Sequence, residues 1–435
     1  MKQQLLLLVI IMLPLVASAD ESGTCGRNLT WTYSESTKVL TISGSGNMFS
    51  YKDDPNSRPW STFGYLIEKI IIGDGVTSIG DYAFIDCTGL TSVTIPSSLK
   101  RVGFVAFSGC TGLTKVNVTD IAAWCGIIFP DLDANPLCYA HHLYSDENTE
   151  IKNLVIPNSV TSISSCAFYG CSELTSVTIG NSVASIGDGV FIDCTGLTSI
   201  SIPNSVTSIG NRALDGCKLE ELMIYNVNAK FPKAFSNKTL QHAMLYIPEG
   251  TWSDAIYEGD CYLFNNIREV ATSTQSLSPS ITYNLINTES FGYAVYDETT
   301  NKIKMAKAFY SIDENEVNNC WQVQSQSGKN YLYNLGAQKY ASVSVDGNIT
   351  LSAYPVEITI TEGENGLILG ADTNHRWGFV KSQGQSNPTS INTNIHYDTT
   401  DRIHYSLDGR QFKDPQKGIN IVRYKDGSTK KVIIK

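Results

Sequence analysis

The chain has 435 residues and a formal net charge of −10, with 42% hydrophobic and 17% charged residues. This length is too great for one ordinary hydrophobic core, so about two to four domains are expected. The composition predicts a globular protein, and the acidic balance argues against a nucleic acid as the partner.

The N-terminal residues have the features of a secretion signal. Lys2 supplies a positive charge, an apolar run extends from Leu5 to Val16, and Ala17-Ser18-Ala19 forms a small-residue cleavage site. The run is much shorter than the roughly 20 residues that a membrane span needs. We therefore expect a signal peptide at residues 1–19, a secreted or outer-surface location, and no transmembrane segment in the mature chain.

Residues 20–66 are predicted to form an N-terminal β cap. LTWTY and KVLTISG alternate apolar and polar residues on either side of a polar turn, which predicts a β-hairpin. The end of a stacked repeat exposes apolar core and an unpaired strand edge. We expect Trp31, Trp60 and Phe63 to cover that end.

From Ile67 onward the sequence repeats itself about every 23 residues. CTGLTSVTIP at 87–96 returns as CTGLTSISIP at 194–203, and each copy contains the pattern L-x-x-L-x-L. This period and pattern are typical of leucine-rich repeats, which stack into a solenoid with a parallel sheet. We expect the solenoid over residues 67–270, with a longer repeat at 119–150 and a terminal cap at 245–270.

The full unit, x-[AV]-F-x-x-C-x-x-L-x-S-[IV]-x-I-P-x-S-[VL]-x-x-I-G, resembles the BspA-like leucine-rich repeats. These repeats occur on secreted and surface proteins of Gram-negative anaerobes and some protozoa. The resemblance extends over roughly residues 24–270 and includes GTCGRNLTWTY at 23–33 and LYIPEGTWSDAIY at 245–257. It implies an exported, non-enzymatic protein that adheres to host extracellular-matrix proteins or to other cells.

The chain contains eleven cysteines, and five of them share one position of the repeat: Cys87, Cys110, Cys171, Cys194 and Cys217. Buried thiols behave as small hydrophobic groups, which favours packing at a tight corner of the coil. Zinc needs ligands that converge tetrahedrally, and a row of stacked thiols does not supply them, although neighbours in the row could approach disulfide distance. A reactive nucleophile would need a partnered base, and none is apparent. Cys125 and Cys138 lie inside the longer repeat and are the candidate disulfide.

In L-x-x-L-x-L the apolar positions point into the core, so the intervening residues line the exposed face of the solenoid. This face is rich in hydroxyls, carried by Thr91, Ser92, Thr94, Thr175, Ser176, Thr178, Thr198, Ser199 and Ser201, with Glu220 and Glu221 toward one end. Solenoids commonly bind along this surface, so the nine hydroxyl residues are the candidate binding site for a protein or a glycan. The alternative is that Thr and Ser only suit a solvated strand.

After Val270 the repeat gives way to a small polar linker and then to short alternating strands, which predict an all-β domain at residues 271–395. The segments around Trp321 and Trp377 loosely resemble β-trefoil carbohydrate-binding modules. These two tryptophans are therefore candidates for glycan binding, with a place in the domain core as the alternative. Residues 396–435 form a β tail that resembles C-terminal tails of exported proteins from the same bacteria, and some related tails are sorting signals.

Sequence motifs for zinc proteases, nucleotide binding and nucleophilic hydrolysis are absent. His141-His142 is the one histidine cluster, and no acidic or cysteine partner stands at ligand spacing. We therefore expect a mainly β, non-enzymatic surface protein without cofactor or metal, whose solenoid binds host matrix or cell-surface protein. The alternative function is glycan binding by the C-terminal β-domain, with the solenoid as a spacer.

Overall fold

The computed structural model describes most of the chain after the predicted signal peptide, which lies outside the described residues. The described residues are 20–231, 233–251, 254–255, 260–274, 277, 283–288, 290–291, 293–306, 317–326, 329–363, 366–381, 403–405, 411–412, 418–423 and 429–434. None of the helices in these ranges is long and apolar enough to cross a membrane.

The first sheet joins the N-terminal residues to the first repeats. The strands of this sheet and of a separate two-stranded pair are, in chain order, β1 (Glu21–Gly26), β2 (Leu29–Ser34), β3 (Val39–Gly44), β4 (Gly46–Asn47), β5 (Lys69–Ile72), β6 (Val76–Ser78), β7 (Ser92–Ile95), β8 (Lys115–Val118) and β9 (Leu143–Tyr144). The sheet order is β1-β2-β3-β5-β7-β8-β9, and β4 pairs with β6. The first two pairings are antiparallel, and the ladder becomes parallel where Val39 lies beside Lys69. The hairpin strands thus extend the solenoid sheet at its open end.

Aromatic rings close this end of the core. Trp31, Trp60 and Phe63 are all buried, and the Trp31 ring lies 6.0 Å from the Trp60 ring and 5.9 Å from the Phe63 ring between centroids. The Trp60 indole also donates a hydrogen bond of 2.8 Å to the carbonyl of Ala83 in the first full coil. Their placement agrees with the expectation that they cover the apolar end of the stack.

The second half of the solenoid repeats one unit from coil to coil. Its strands are β10 (Asn153–Val155), β11 (Ser162–Ile163), β12 (Ser176–Thr178), β13 (Ser185–Ile186), β14 (Ser199–Ile202), β15 (Ser208–Ile209), β16 (Glu221–Ile224), β17 (Met244–Pro248) and β18 (Asn266–Val270). A six-stranded parallel sheet has the order β10-β12-β14-β16-β17-β18, and β11-β13-β15 form a three-stranded sheet. The helices α1 (Ile121–Cys125), α2 (Leu137–Ala140) and α3 (Asn237–His242) are short.

Apolar side chains of successive coils stack into one continuous core. Leu154 lies beside Val177 in the register of the parallel sheet, and both are buried. The rings of Phe168 and Phe191 stack with their centroids 5.5 Å apart and their planes within 8°. Because a single coil cannot bury its apolar side alone, the stack is stabilised by contacts between neighbouring coils.

The five cysteines that share a repeat position are buried in this core. The Sγ atoms of Cys110, Cys194 and Cys217 each donate to the carbonyl of a phenylalanine in the preceding coil, at 3.1, 3.2 and 3.1 Å. The thiol fills the corner and also satisfies a backbone acceptor there. The prediction that these residues are packing elements is confirmed.

The longer repeat interrupts the exposed sheet. After β9 the chain turns back on itself, and Tyr144 pairs in antiparallel fashion with Glu150. The return places β9 and β10 in different sheets. On the other side of the coil, Trp124 Nε1 donates to the carbonyl of Ala167 at 2.8 Å, so the stack continues there across the interruption.

The C-terminal region is also built from strands. These are β19 (Tyr283–Asn287), β20 (Tyr293–Asp297), β21 (Lys302–Ala306), β22 (Trp321–Gln326), β23 (Lys329–Asn334), β24 (Lys339–Val343), β25 (Ile349–Ser352), β26 (Ile360–Gly363), β27 (Gly366–Leu369) and β28 (Asp372–Lys381), followed in the tail by β29 (Ile403–Tyr405), β30 (Gln411–Phe412), β31 (Gly418–Arg423) and β32 (Thr429–Ile434). Strands β19 to β28 form one sheet, here called the β-domain, and the tail forms a four-stranded sheet. The predicted fold class is therefore confirmed, whereas the trefoil resemblance and the domain boundaries stay predictions.

A separate apolar cluster joins the solenoid to the β-domain. On β17, Leu245 points into the solenoid core, whereas the adjacent Tyr246 points to the opposite side and is still only 1% exposed. This junction cluster consists of Met223, Tyr225, Met244, Tyr246, Val270, Ile286, Phe291, Tyr293 and Val380. Ala271 and Phe379 also exchange backbone hydrogen bonds of 2.9 and 3.2 Å. The β-domain is thus seated on the outward face of the last coils.

Candidate functional site

The most regular exposed surface of the solenoid lies on β10, β12 and β14. Val155 lies beside Thr178, and Thr178 lies beside Ser201, which makes one outward row across three coils. Asn153 lies beside Ser176 in a second row, and the register that joins Thr178 to Ser201 continues this row to Ser199. We call these two rows the hydroxyl face. Val155 is 61% exposed and adds an apolar side chain to a surface otherwise made of hydroxyls and an amide.

All nine predicted binding residues lie at the surface. Four are exposed, namely Thr91, Thr175, Thr178 and Thr198, and five are half-buried, namely Ser92, Thr94, Ser176, Ser199 and Ser201. The structure brings the six residues of coils 175–201 together on or beside the hydroxyl face. The three residues of coil 91–94 belong to the first sheet, on the other side of the interruption after β9.

Some of these hydroxyls also hold the coils together. The Oγ1 atom of Thr91 donates to the carbonyl of Glu68 at 2.8 Å, and Oγ1 of Thr175 donates to the carbonyl of Lys152 at 3.2 Å. Each bond joins a coil to the one before it. Thr91 and Thr175 therefore have a structural role, and Thr178 and Ser201, toward the carboxyl ends of β12 and β14, are better placed for a partner.

The longer repeat covers part of the first sheet. Glu147 lies in the return after β9, pairs with Lys69 and accepts a hydrogen bond of 2.6 Å from Lys115 Nζ at its backbone carbonyl. The ammonium of Lys115 also sits 4.4 Å from the centre of the Tyr144 ring. The hydrogen bond from Lys69 lowers the pKa of Glu147 below its ordinary value. This return screens the face of the first sheet and forms one boundary of the hydroxyl face.

The β-domain forms the other boundary, because the junction cluster covers the outward side of β16 and β17. The expectation that Glu221 adds an exposed charge to the face is wrong: this side chain is only 5% exposed. Its carboxylate accepts a hydrogen bond of 3.3 Å from the Tyr246 hydroxyl. The sequence did carry a signal, since Met223 and Tyr246 replace serine and threonine at the outward positions of these two strands.

A cleft of about 280 Å³ lies where the hydroxyl face meets the β-domain. One wall comes from three successive coils and includes Val155, Thr178 and Ser201. Arg376 of β28 reaches the cleft from the β-domain. Its Nη1 donates to the carbonyls of Thr373 and His375 at 3.0 and 3.2 Å, which holds the guanidinium in place. Sequence reasoning did not find this site, because no pattern along the chain indicates that β28 approaches β10.

Comparison with known families decides the nature of the solenoid. A model of the BspA type leucine rich repeat region matches residues 62–125 and 144–252 in six copies. The solenoid is a BspA-type leucine-rich repeat region. The resemblance inferred from the sequence is thereby confirmed, and the gap between the matched stretches falls within the longer repeat.

Solved structures that are similar to this chain come from several bacteria. A leucine-rich repeat protein from Eubacterium ventriosum is 20% identical to this chain. The alignment covers 59% of this chain and 86% of that protein, with a TM-score of 0.26. A leucine rich cell surface protein from Faecalibacterium prausnitzii shares 19% identity over 59% of this chain and 78% of its own, with a TM-score of 0.28. A leucine-rich repeat protein from Bacteroides ovatus is 17% identical, and the alignment covers 57% of this chain and 71% of that protein, with a TM-score of 0.27. Among curated proteins none matches the chain.

The cysteines of the BspA-type region are free thiols, and this includes Cys125 and Cys138. The structure therefore does not form the disulfide proposed for that pair: Cys125 is buried and Cys138 is half-buried as separate thiols. Burial raises the pKa of Cys87 to about 12 and that of Cys138 to about 11. Such thiols stay protonated at neutral pH, which is unfavourable for nucleophilic catalysis.

The two tryptophans proposed as glycan platforms are core residues. Trp321 and Trp377 are 0% and 1% exposed, so neither ring offers a face to a sugar, and that assignment is wrong. Their indole nitrogens donate to the carbonyl of Ala294 at 2.8 Å and to the carboxylate of Asp372 at 3.0 Å. Both acceptors belong to the β-domain itself, and they satisfy the N–H groups of the two buried indoles.

The histidine pair of the longer repeat has an acidic neighbour that its local sequence does not indicate. His142 Nδ1 lies 2.6 Å from Oε1 of Glu150, on the returning segment, whereas His141 is exposed. The contact closes the turn after β9. Within the described residues, no group of three or more His, Cys, Asp or Glu side chains is arranged to hold a metal ion.

Proposed function

We propose that this chain is an exported surface protein that binds host extracellular-matrix or cell-surface protein along the hydroxyl face, without catalysis. The observation that supports this proposal is the hydroxyl face itself, a regular surface across three coils with a boundary at each end. A BspA-type region suggests protein binding or adhesion at a cell surface. The predicted signal peptide at residues 1–19 supports export.

The chemistry of the face suits a protein partner. A rigid parallel sheet presents hydroxyls at regular spacing, and Val155 adds an apolar contact in the same row. Interfaces of this kind combine an apolar centre with a polar surround of hydrogen bonds. Extended solenoid surfaces bind through many such contacts.

The test uses the chain from Asp20 onward, because removal of the β-domain would expose Met223 and Tyr246 and create a new apolar surface. Binding to immobilised matrix proteins and to host cells is measured for wild type and for Thr178→Arg with Ser201→Arg. We expect a loss of affinity of about tenfold or more, because two long side chains would fill the space above the two rows and keep the partner away from them.

Thr161→Arg is the matched control, because Thr161 is exposed and lies beside β11 in the three-stranded sheet. It should bind like wild type. Equal binding by the double variant and wild type would assign adhesion to another surface, and equal loss in the control would point to a nonspecific charge effect.

A second candidate function is glycan binding by the β-domain, through tyrosines rather than the two tryptophans. Tyr331, Tyr333 and Tyr340 are half-buried on one side of β23 and β24, and Tyr340 lies 6.0 and 5.0 Å from the other two rings between centroids. Gln322 and Gln324 stand opposite Tyr333 and Tyr331 on β22. Aromatic faces beside neutral amides are a surface on which a sugar can stack and hydrogen-bond.

A glycan array distinguishes this candidate. We expect a signal for wild type that Tyr333→Ala reduces by about tenfold, an effect near 1.4 kcal/mol that matches the loss of one stacked ring. Tyr354→Ala is the control, since Tyr354 is 80% exposed and lies outside the tyrosine group. An array without any bound glycan, or one that Tyr333→Ala leaves unchanged, would rule the candidate out.

A further inference from the structure

We propose that the cleft between the hydroxyl face and the β-domain binds an extended acidic segment of the partner protein, with a carboxylate of that segment at Arg376. The inference rests on the proposed function and specifies the chemistry of the partner. It places the most specific contact at the junction of the two domains, where pockets commonly form.

The shape of the cleft comes from a departure from the repeat. Pro157 and Pro203 follow their strands at equivalent positions of two coils, and Gly180 replaces proline in the coil between them. A Cβ on Gly180 would lie 2.7 Å from the carbonyl oxygen of Ile156, so glycine lets this coil close on the previous one. At this coil the floor of the cleft is therefore formed by the backbone of Gly180, without a side chain.

The charge of the cleft favours a carboxylate. Among the described residues that line it, Arg376 carries the only charge, and the remaining polar groups are neutral amides and hydroxyls such as Asn158, Thr178 and Ser201. A guanidinium recognises a carboxylate through two parallel hydrogen bonds, and these bonds are stronger than neutral ones. The rest of the chain is acidic overall, so this cation is a local attraction for an acidic segment.

The two walls of the cleft are held in a fixed relation by the junction cluster. Tyr246 of the solenoid and Tyr293 of the β-domain are each 1% exposed and hydrogen-bond through their hydroxyls. The cleft is continuous with this established interface and needs both domains. A partner segment would therefore contact Val155 on one side and Arg376 on the other.

The experiment selects phage-displayed random peptides on the immobilised chain from Asp20 onward, and then measures synthetic copies of the enriched peptides by fluorescence anisotropy. We expect enriched peptides to share an aspartate, a glutamate or a free C-terminal carboxylate. Arg376→Gln should weaken their binding by about tenfold or more. Arg376→Lys should retain part of the affinity, because the charge remains while the planar fork is lost.

A second pair of variants acts from the opposite wall and leaves Arg376 intact. Val155→Asp should repel the acidic peptide and weaken its binding by about tenfold, whereas Val155→Asn, which has the same size and no charge, should bind like wild type. The 61% exposure of Val155 makes both substitutions compatible with folding. Enrichment without an acidic position, no enrichment at all, or equal affinity of the two Val155 variants would overturn the inference.

This failure is distinguishable from failure of the proposed function. If Thr178→Arg with Ser201→Arg abolishes adhesion while the Arg376 and Val155 variants leave peptide and host binding unchanged, the proposed adhesion stands and the acidic segment is wrong. If acidic peptides bind as described but the chain binds no matrix or cell-surface protein, the cleft stands and the host partner is wrong.

Discussion

Replacing Tyr246 with alanine is expected to lower the free energy of unfolding by about 3–5 kcal/mol, the range for large buried aromatic side chains. The Tyr246 ring is 1% exposed and lies 5.9 Å from the Phe291 ring between centroids. Its hydroxyl bonds to Glu221 and to Tyr293 across the junction. The substitution would remove ring contacts and one hydrogen-bond partner of a buried carboxylate, and urea denaturation measures the loss.

Tyr246→Phe separates the two contributions. It keeps the ring and removes only the hydroxyl, so a loss of about 1–2 kcal/mol is expected. Burial raises the pKa of Tyr246 well above its ordinary value, so the hydroxyl is neutral at every pH used for the measurement. If Tyr246→Ala unfolds like wild type, the β-domain does not rest on the solenoid in solution, and the cleft at Arg376 loses its fixed geometry.

The repeat made most of the solenoid predictable. In CTGLTSVTIP the spacing alone places Leu90, Val93 and Ile95 inside and Ser92 and Thr94 outside, and each has the predicted environment. The reason is physical: a residue that recurs at one position of a stacked coil meets the same neighbours in every coil. The cysteine that begins the unit was predictable for the same reason.

The contacts that break the repeat were not predictable in this way. Glu221 occupies an outward position, and a rule based on single coils makes it exposed, but the β-domain covers it. The pairing of His142 with Glu150 depends on a return of the chain that the local sequence does not encode. Such contacts join parts of the chain without a shared period, so periodicity carries no information about them. The cleft at Arg376 belongs to the same class.

Replacing Trp124 with alanine is expected to cost about 3–5 kcal/mol and to divide unfolding into two steps. Trp124 is 1% exposed in α1, and its indole donates to the carbonyl of Ala167 in the following coil at 2.8 Å. On the exposed side β9 and β10 belong to different sheets, so coupling across the longer repeat depends on the side that Trp124 occupies. Differential scanning calorimetry should show one transition for wild type and two for the variant.

Trp124→Phe keeps an aromatic ring at this joint but loses the indole donor, which leaves the Ala167 carbonyl without that partner. A single transition is expected, with a loss of about 1–3 kcal/mol. In a solenoid each coil is stabilised by its neighbours, so a weakened interface lets the blocks on either side unfold independently. A single cooperative transition in Trp124→Ala would mean that other contacts couple the blocks, such as the 2.8 Å bond from the Ser164 amide to the Cys125 carbonyl. Because the hydroxyl face begins at β10, two separate transitions would also show that the face and the β-domain form one unfolding block.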